Sequence, residues 1–393
     1  MSRPSPTYIR LLALLAALLL CVGPVLSLPS PIDDKNDKNN DKKDYKDVIR
    51  VKGKDSIQDA IKRAKPYTRI EVEGHHKEYV TIDKDGISLV GKGAKLSPPD
   101  YPGKDYCYGK VKDATGKDTS AGICIHGKKV DLFNYEVFDL HQRVKSVGGP
   151  VKNVSVSGFE IVGFDGPNVV VYGGKNIKVY KNKLKGGLRY GFLTVGSTGT
   201  EASNNIVIGS APATLSSGPI AMCMDDFNTA VFSYNELSDY YIGLCTETNG
   251  AINKNNDIHD CCIGNFIDPV KDAKCLDNKI TKWNKDCPVD AAAGITLGGA
   301  KNALVKGNTI SIGSRPIVGN AGLFLGLENF FGVNEGNTIT KNKFGDNIAD
   351  IFNNSTGTNY ILDNECDIAA RAPLSNPIPA PEYCRPRGGY GHM

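Results

Sequence analysis

Four acids close three short apolar runs. Asp225 and Asp226 end CMDD, Glu247 ends LCTE and Asp268 ends NFID. Asp225 to Glu247 is 22 residues and Glu247 to Asp268 is 21. If each interval is one turn of a repeating structure, the acids stack roughly 5 Å apart per step, the ordinary strand spacing. Like charges that close repel, so either one carboxyl holds its proton or a cation sits between them. A protonated carboxyl beside an ionised one is the acid/base pair of glycoside hydrolysis, and separations of roughly 5 to 10 Å distinguish retaining from inverting action. Converging carboxylate oxygens could instead hold Ca²⁺. The bland alternative is a solvated strand-to-turn edge, where Asp is common. Two further candidates lie nearby. Arg189, in GLRYG, could grip a uronate carboxylate in bidentate fashion or pair with an exposed acid. His259, in NDIHD, is either a substrate-binding group or an ordinary turn residue.

The element that would position these residues is a repeat. An Asn recurs between two short strand-like runs, at Asn182, Asn205, Asn235, Asn256, Asn278, Asn308, Asn342 and Asn364. The gaps are 23, 30, 21, 22, 30, 34 and 22, a minimum near 22 with loops added. Gly158 fills the same slot in an earlier unit, NVSVSGFEIVGF. Fixed-period similarity in the 20s marks a solenoid, and the period-2 runs exclude helical repeats. Each unit divides into three strands, such as NVVVYG, IKVYK and KLKG, which describe one coil of a parallel β-helix. The returning Asn then stacks on its counterparts and satisfies backbone groups at a tight bend.

Alternation along the opening strand of each coil predicts two faces. Val169, Ile220, Leu244, Ile267, Ile295 and Leu323 are expected inward. The outward column is expected to read Val170, Leu193, Ala221, Cys245, Phe266, Thr296 and Phe324. So apolar an outer face is either a groove floor, with Phe266 and Phe324 lining a sugar or apolar ligand, or a face covered by the long loops after Asn205, Asn278 and Asn308. Upstream, SIQDAIKRAK places Ile57, Ala60, Ile61 and Ala64 on one face of a short helix capped by Asp55 or Ser56. Such a helix can plug the open end of the first coil.

The ends of the chain are different in kind. Residues 1–27 look like a secretory signal: Arg3 and Arg10 flank an apolar run that ends in the small residue Ser27. Residues 28–47, mostly Asp, Lys and Asn, cannot bury a face and read as a disordered linker. The solenoid is expected over residues 48–368, and 369–393 reads as an irregular Pro/Gly-rich tail. Cys21 leaves with the signal, so ten cysteines remain, an even number that permits up to five disulfides in an exported chain. Cys107 with Cys124, and Cys366 with Cys384, are plausible local pairs. No CxxC spacing occurs, which argues against a thiolate metal centre. Sequons stand at Asn153, Asn353 and Asn354. A net charge of +4 over 393 residues gives no electrostatic footprint for nucleic acid.

Residues 48–368 resemble the pectin-lyase-like proteins, the right-handed parallel β-helices. The resemblance rests on the helix-and-strand entry SIQDAIKRAKPYTRIEVEG and on the GxxLxx…xxIxxN pattern of the coils, and within that group it is to uncharacterised secreted β-helix repeat proteins. It implies an all-β, single-stranded right-handed parallel β-helix of about 9–11 coils with an N-terminal capping helix. It does not imply one activity, because the architecture hosts many. Of the polygalacturonase motifs only Asp225-Asp226 has a counterpart here. The pectate lyase Ile-Asp-His is absent from IKVYK, AVFSY and AKCLD. The epimerase Tyr-Gly-x-Asp-Pro-His stops at Tyr190-Gly191-Phe192. Three functions are therefore expected, in this order. The first is a secreted glycoside hydrolase or polysaccharide lyase, acting through Asp225, Asp226, Glu247 and Asp268 on an extracellular glycan. The second is a non-catalytic surface or matrix protein. The third is a small-molecule cyclase or isomerase with an apolar pocket. A monomer, free of membrane after signal cleavage, is expected, with no resident cofactor except Ca²⁺ if the acids bind it.

Overall fold

The computed structural model describes residues 47–100, 103, 105–135, 140–210, 218–227, 229–288, 293–313, 321–367 and 383–386. The segment expected to be a signal, the expected linker up to residue 46 and most of residues 369–393 lie outside the described residues. Asp47, placed in the linker by composition, already belongs to a strand, Asp47–Val51, in register with Thr68–Val72.

The strands wind into a right-handed parallel β-helix. The face that carries the acids is a ten-stranded parallel sheet, one strand per coil. In chain order its strands are Val80–Ile82, Ile123–His126, Val169–Tyr172, Tyr190–Val195, Ile220–Asp225, Ile242–Glu247, Ile263–Ile267, Ala293–Gly298, Ala321–Gly326 and Ala349–Asn353. Two other parallel runs close each coil. In one coil they are Lys178–Tyr180 and Lys183–Lys185, pairing onward with Thr198–Ser203 and Ile206–Ile208. The core runs along the axis from Val51 to Cys366 and is mainly apolar, with a buried hydrogen-bonded set of Thr246, Asn253 and Asn265 inside it. A helix, Ile57–Arg63, plugs the first coil with Ile57, Ala60 and Ile61 buried; Ser56 caps it, and Glu78 accepts the Ile57 and Gln58 N–H groups.

The recurrent Asn forms a ladder. Asn182, Asn205, Asn235, Asn256, Asn278, Asn308 and Asn342 each donate Nδ2–H to the Oδ1 of the next, at 2.9–3.2 Å, ending on Asn364. Each also donates to a backbone carbonyl of a neighbouring coil, as Asn256 does to Phe232. The ladder satisfies polar groups at a bend buried from solvent. At the slot filled by Gly158, φ is +75°, and the Phe159 N–H reaches Asn182 instead.

The faces of the ten-stranded sheet differ from simple alternation at one place in several coils. Two consecutive residues point inward: Gly191 and Phe192, Ala221 and Met222, Gly243 and Leu244, Gly294 and Ile295. A Cβ on Gly191 would fall 2.2 Å from Val207 and one on Gly294 2.5 Å from Ile310, so this position admits only a minimal side chain. The bulge reverses the face of everything before it. Ile220 therefore sits in the outer apolar cluster and Ala221 in the axial core, the reverse of the expectation. Cys223 takes the outward slot between Leu193 and Cys245. In the coil that carries Phe266, Asn265 stands in the inward row expected for Ile267, and Ile267 is buried two residues further on.

Candidate carboxyl column and its cover

The in-register pairing places Val195, Asp225 and Glu247 on one outward column, two residues beyond Leu193, Cys223 and Cys245. Asp268 extends it, its N–H donating to the Thr246 carbonyl one coil back. Three carboxyls thus stack at successive strand spacings of about 4.8 Å. They are not on a solvated edge. Asp225 is 5% exposed, Asp268 has no exposed surface, and Glu247 between them is half-buried.

The cover comes from an inserted antiparallel hairpin, Lys128–Leu132 with Val144–Gly149, which follows the second strand of the sheet. Val130, Leu132, Leu140 and Val147 pack on an outer apolar cluster that includes Val170, Leu193, Val195, Cys223, Cys245 and Phe266. The Cys107–Cys124 and Cys262–Cys287 disulfides and the short helix Glu328–Phe331 belong to the same layer. The outer face is thus covered over most of its length and is not an open groove.

Asp225 and Asp226 hold this hairpin together. His141 Nε2 lies 2.9 Å from Asp225 Oδ2, and its Nδ1 lies 3.0 Å from the Tyr190 hydroxyl. Arg143 donates to Asp226 Oδ1 at 3.0 and 3.2 Å, and the Val144 N–H donates to Asp226 Oδ2. Asp226 turns away from the column because it adopts φ +57° at the strand end, a left-handed conformation Asp tolerates. The two adjacent acids point opposite ways, so Asp226 is an anchor for the hairpin and lies off the column.

Environment separates the carboxyls. Burial pushes all of them upward. At Asp225 that is outweighed by the His141 hydrogen bond and charge, with help from Arg143, and its pKa falls below the usual carboxylate range. Asp226 is raised to about 6 by burial and then by Asp225, against the pull of the Val144 N–H and Arg143. Glu247 is raised well above the ordinary value by burial, then by Asp268 and Asp225. Asp268 is raised likewise by burial and Asp225, with the nearby Glu247 carboxyl pulling the other way. That approach falls short of hydrogen-bond geometry, so neither Asp268 oxygen has a hydrogen-bond partner. The environment thus draws the carboxyls apart, with Asp225 pulled down and Glu247 and Asp268 pushed up, the separation that suits one group to accept a proton and another to donate one.

Two sulfurs flank the column. Cys223 and Cys245, partners in register, are both buried thiols, and Cys245 Sγ lies 3.1 Å from Glu247 Oε1. The described cysteines form three disulfides, those expected at Cys107–Cys124 and Cys366–Cys384 and a third at Cys262–Cys287. Cys223, Cys245, Cys261 and Cys275 stay free, so five bridges do not form among these residues.

The other candidates scatter. Arg189 is buried one residue before Tyr190; burial lowers its pKa and Tyr190 opposes this. His259 lies on a different face of the solenoid, 2.8 Å from Asp260 and 3.7 Å from Glu236, away from the acids. Phe266 packs edge-to-face on Phe331, inside the cover. Phe324 stacks on Phe352 at 5.5 Å, half-buried at the far end of the column. Sequence reasoning missed His141, Tyr190 and Arg143. The usable signal was the spacing HxR, which matches the two adjacent acids it meets.

No protein-family model matches the chain, and no curated protein matches it by sequence. Solved structures do. It is similar to ORF18 of Geobacillus virus E2, with TM-score 0.51 and 13% identity over 81% of this chain and 61% of that one. It is similar to PfbA, a surface adhesin of Streptococcus pneumoniae, with TM-score 0.51 and 14% identity over 82% and 89%. A tailspike mutant of E. coli bacteriophage HK620, in complex with a hexasaccharide, gives 0.51 and 11% over 81% and 58%. The chain spans less than two thirds of either phage protein. At these identities the likeness is one of fold.

Proposed function

We propose, on the premise that this chain has the pectin-lyase-like right-handed parallel β-helix fold, that it is an exported carbohydrate-active hydrolase working at the carboxyl column. The observation that carries this reading is the in-register stack of Asp225, Glu247 and Asp268 with His141 seated on its first member. An ionised Asp225 can only accept, so His141 Nε2–H donates to it and fixes its orientation. Asp225 is the base or nucleophile. The Glu247 and Asp268 pair supplies the proton to the leaving oxygen. One strand step, about 5 Å, suits retention, and two steps, about 9.5 Å, suit inversion. The anomer first formed therefore reports which of the pair is the acid. The stacked Phe324 and Phe352 rings offer a surface on which a sugar ring can lie, and the tailspike with its hexasaccharide is a precedent for a glycan on this fold. Three disulfides suit an oxidising, extracellular setting, as do the sequons at Asn153, Asn353 and Asn354.

The cover over the outer face favours a second reading, a cyclase or isomerase that encloses a small ligand beneath the hairpin. A panel of neutral and acidic polysaccharides separates the two. Reducing ends without unsaturated products, abolished by Asp225→Asn, are expected for the hydrolase. Unsaturated products, or hydrolysis undiminished in Asp225→Asn, would overturn it.

A further inference from the structure

We propose that Cys223, Cys245 and Glu247, with Asp268 beside them, form a binding site for a thiophilic divalent cation of the zinc class. The solenoid brings these donors together, since the cysteines are 22 residues apart in sequence and partners in register. The two sulfurs and a Glu247 oxygen all lie within 4.8 Å of one another. A tetrahedral zinc ion holds sulfur at about 2.3 Å and oxygen at about 2.1 Å, so its ligands lie roughly 3.5 Å apart. The donors could close on an ion through small rotamer changes.

A second observation points the same way. Asp268 is completely buried, carries two oxygens without a hydrogen-bond partner, and acts electrostatically on both thiols and on Glu247. A buried carboxyl left so is costly, and a cation held by the three neighbouring donors lowers that cost. Two thiolates exclude Ca²⁺, which takes oxygen ligands, and select a softer metal. The described residues include three closed disulfides, yet these two thiols, side by side on adjacent strands, remain unbonded.

This inference shares Glu247 and Asp268 with the proposed acid pair but does not rest on glycan hydrolysis. Its test is spectroscopic. The full chain, reduced and freed of metal with a chelator, is titrated with Co²⁺. One equivalent is expected to bind, with sulfur-to-cobalt charge transfer in the near ultraviolet and the intense visible bands of a tetrahedral site, both erased by Zn²⁺. Cys223→Ser and Cys245→Ser should each weaken the charge-transfer band. Glu247→Gln should keep that band but lower affinity by roughly tenfold or more. Because a serine variant could misfold, the folded wild-type chain decides alone: no charge-transfer band overturns the proposal, as does a band of full strength in a folded Cys223→Ser chain. Failure of cobalt binding leaves the hydrolase reading standing, and failure of hydrolysis leaves the metal site standing.

Discussion

Replacing Asp268 by Asn in metal-free protein should stabilise the fold, although it alters a fully buried polar group. The usual penalty for such a change is the loss of hydrogen bonds, and the Asp268 carboxyl has none to lose. What it does carry is a proton that burial and Asp225 hold on well above the ordinary carboxylate range. The sign follows from linkage. Between the unfolded pKa, about 3.9, and the raised folded pKa, the native state binds the proton and the unfolded state does not. Wild-type stability therefore falls as pH rises through that window, by about 1.4 kcal/mol for every pH step of one. Asn removes this dependence and also relieves Glu247, whose own rise has Asp268 as its second cause. Urea unfolding of both proteins in chelator is the assay. Near pH 8 the variant should exceed wild type by more than about 1.4 kcal/mol, and at about pH 4 the two should converge. A loss near pH 8, or a gain independent of pH, would refute the reasoning.

Three further outcomes are expected. Asn256→Ala in the ladder takes the Asn256 side-chain partner from the Asn235 N–H and the Phe232 carbonyl, while Asn278 Oδ1 keeps the Asn256 N–H, and should cost roughly 2–6 kcal/mol, against about 1 or less for the exposed Asn249→Ala, both read by denaturant unfolding. Asp226→Ala takes the acceptor from Arg143 and the Val144 N–H, so limited proteolysis should cut the 128–149 hairpin several-fold faster, and hydrolysis should drop because His141 no longer holds Asp225. Stoichiometric Zn²⁺ should suppress hydrolysis and chelator restore it, because the proposed metal site takes Glu247 from the proposed acid pair.

Much of this is legible in the chain because the solenoid writes itself locally. The spacing of Asn182 through Asn364 predicts a ladder, and each pair forms the hydrogen bond the spacing implies. The intervals of 22 and 21 between Asp225, Glu247 and Asp268 predict a column, because one coil returns each residue to the same place. The same arithmetic applies to Cys223 and Cys245. Searching for the short CxxC spacing of compact zinc folds hides them, since in a β-helix the spacing that counts is one coil.

Two features escaped the pattern. The faces of Ile220 and Ala221 depend on a bulge at a position held by Gly, or here by Ala, whose need shows only when the opposite wall of the coil stands 2.2–2.6 Å from a built Cβ. The hairpin that seats His141 on Asp225 and Arg143 on Asp226 reaches across more than 80 residues of sequence and follows no repeat.

The sequence by itself thus determined the winding, the ladder and the column, because parallel coils convert a fixed period directly into a contact. Only the tertiary structure decided that the column lies beneath a cover, and that this environment pulls the Asp225 pKa down while it pushes those of Glu247 and Asp268 up. Those properties arise from what packs over the strands, and a non-repeating insertion leaves no periodic signal of where it will dock.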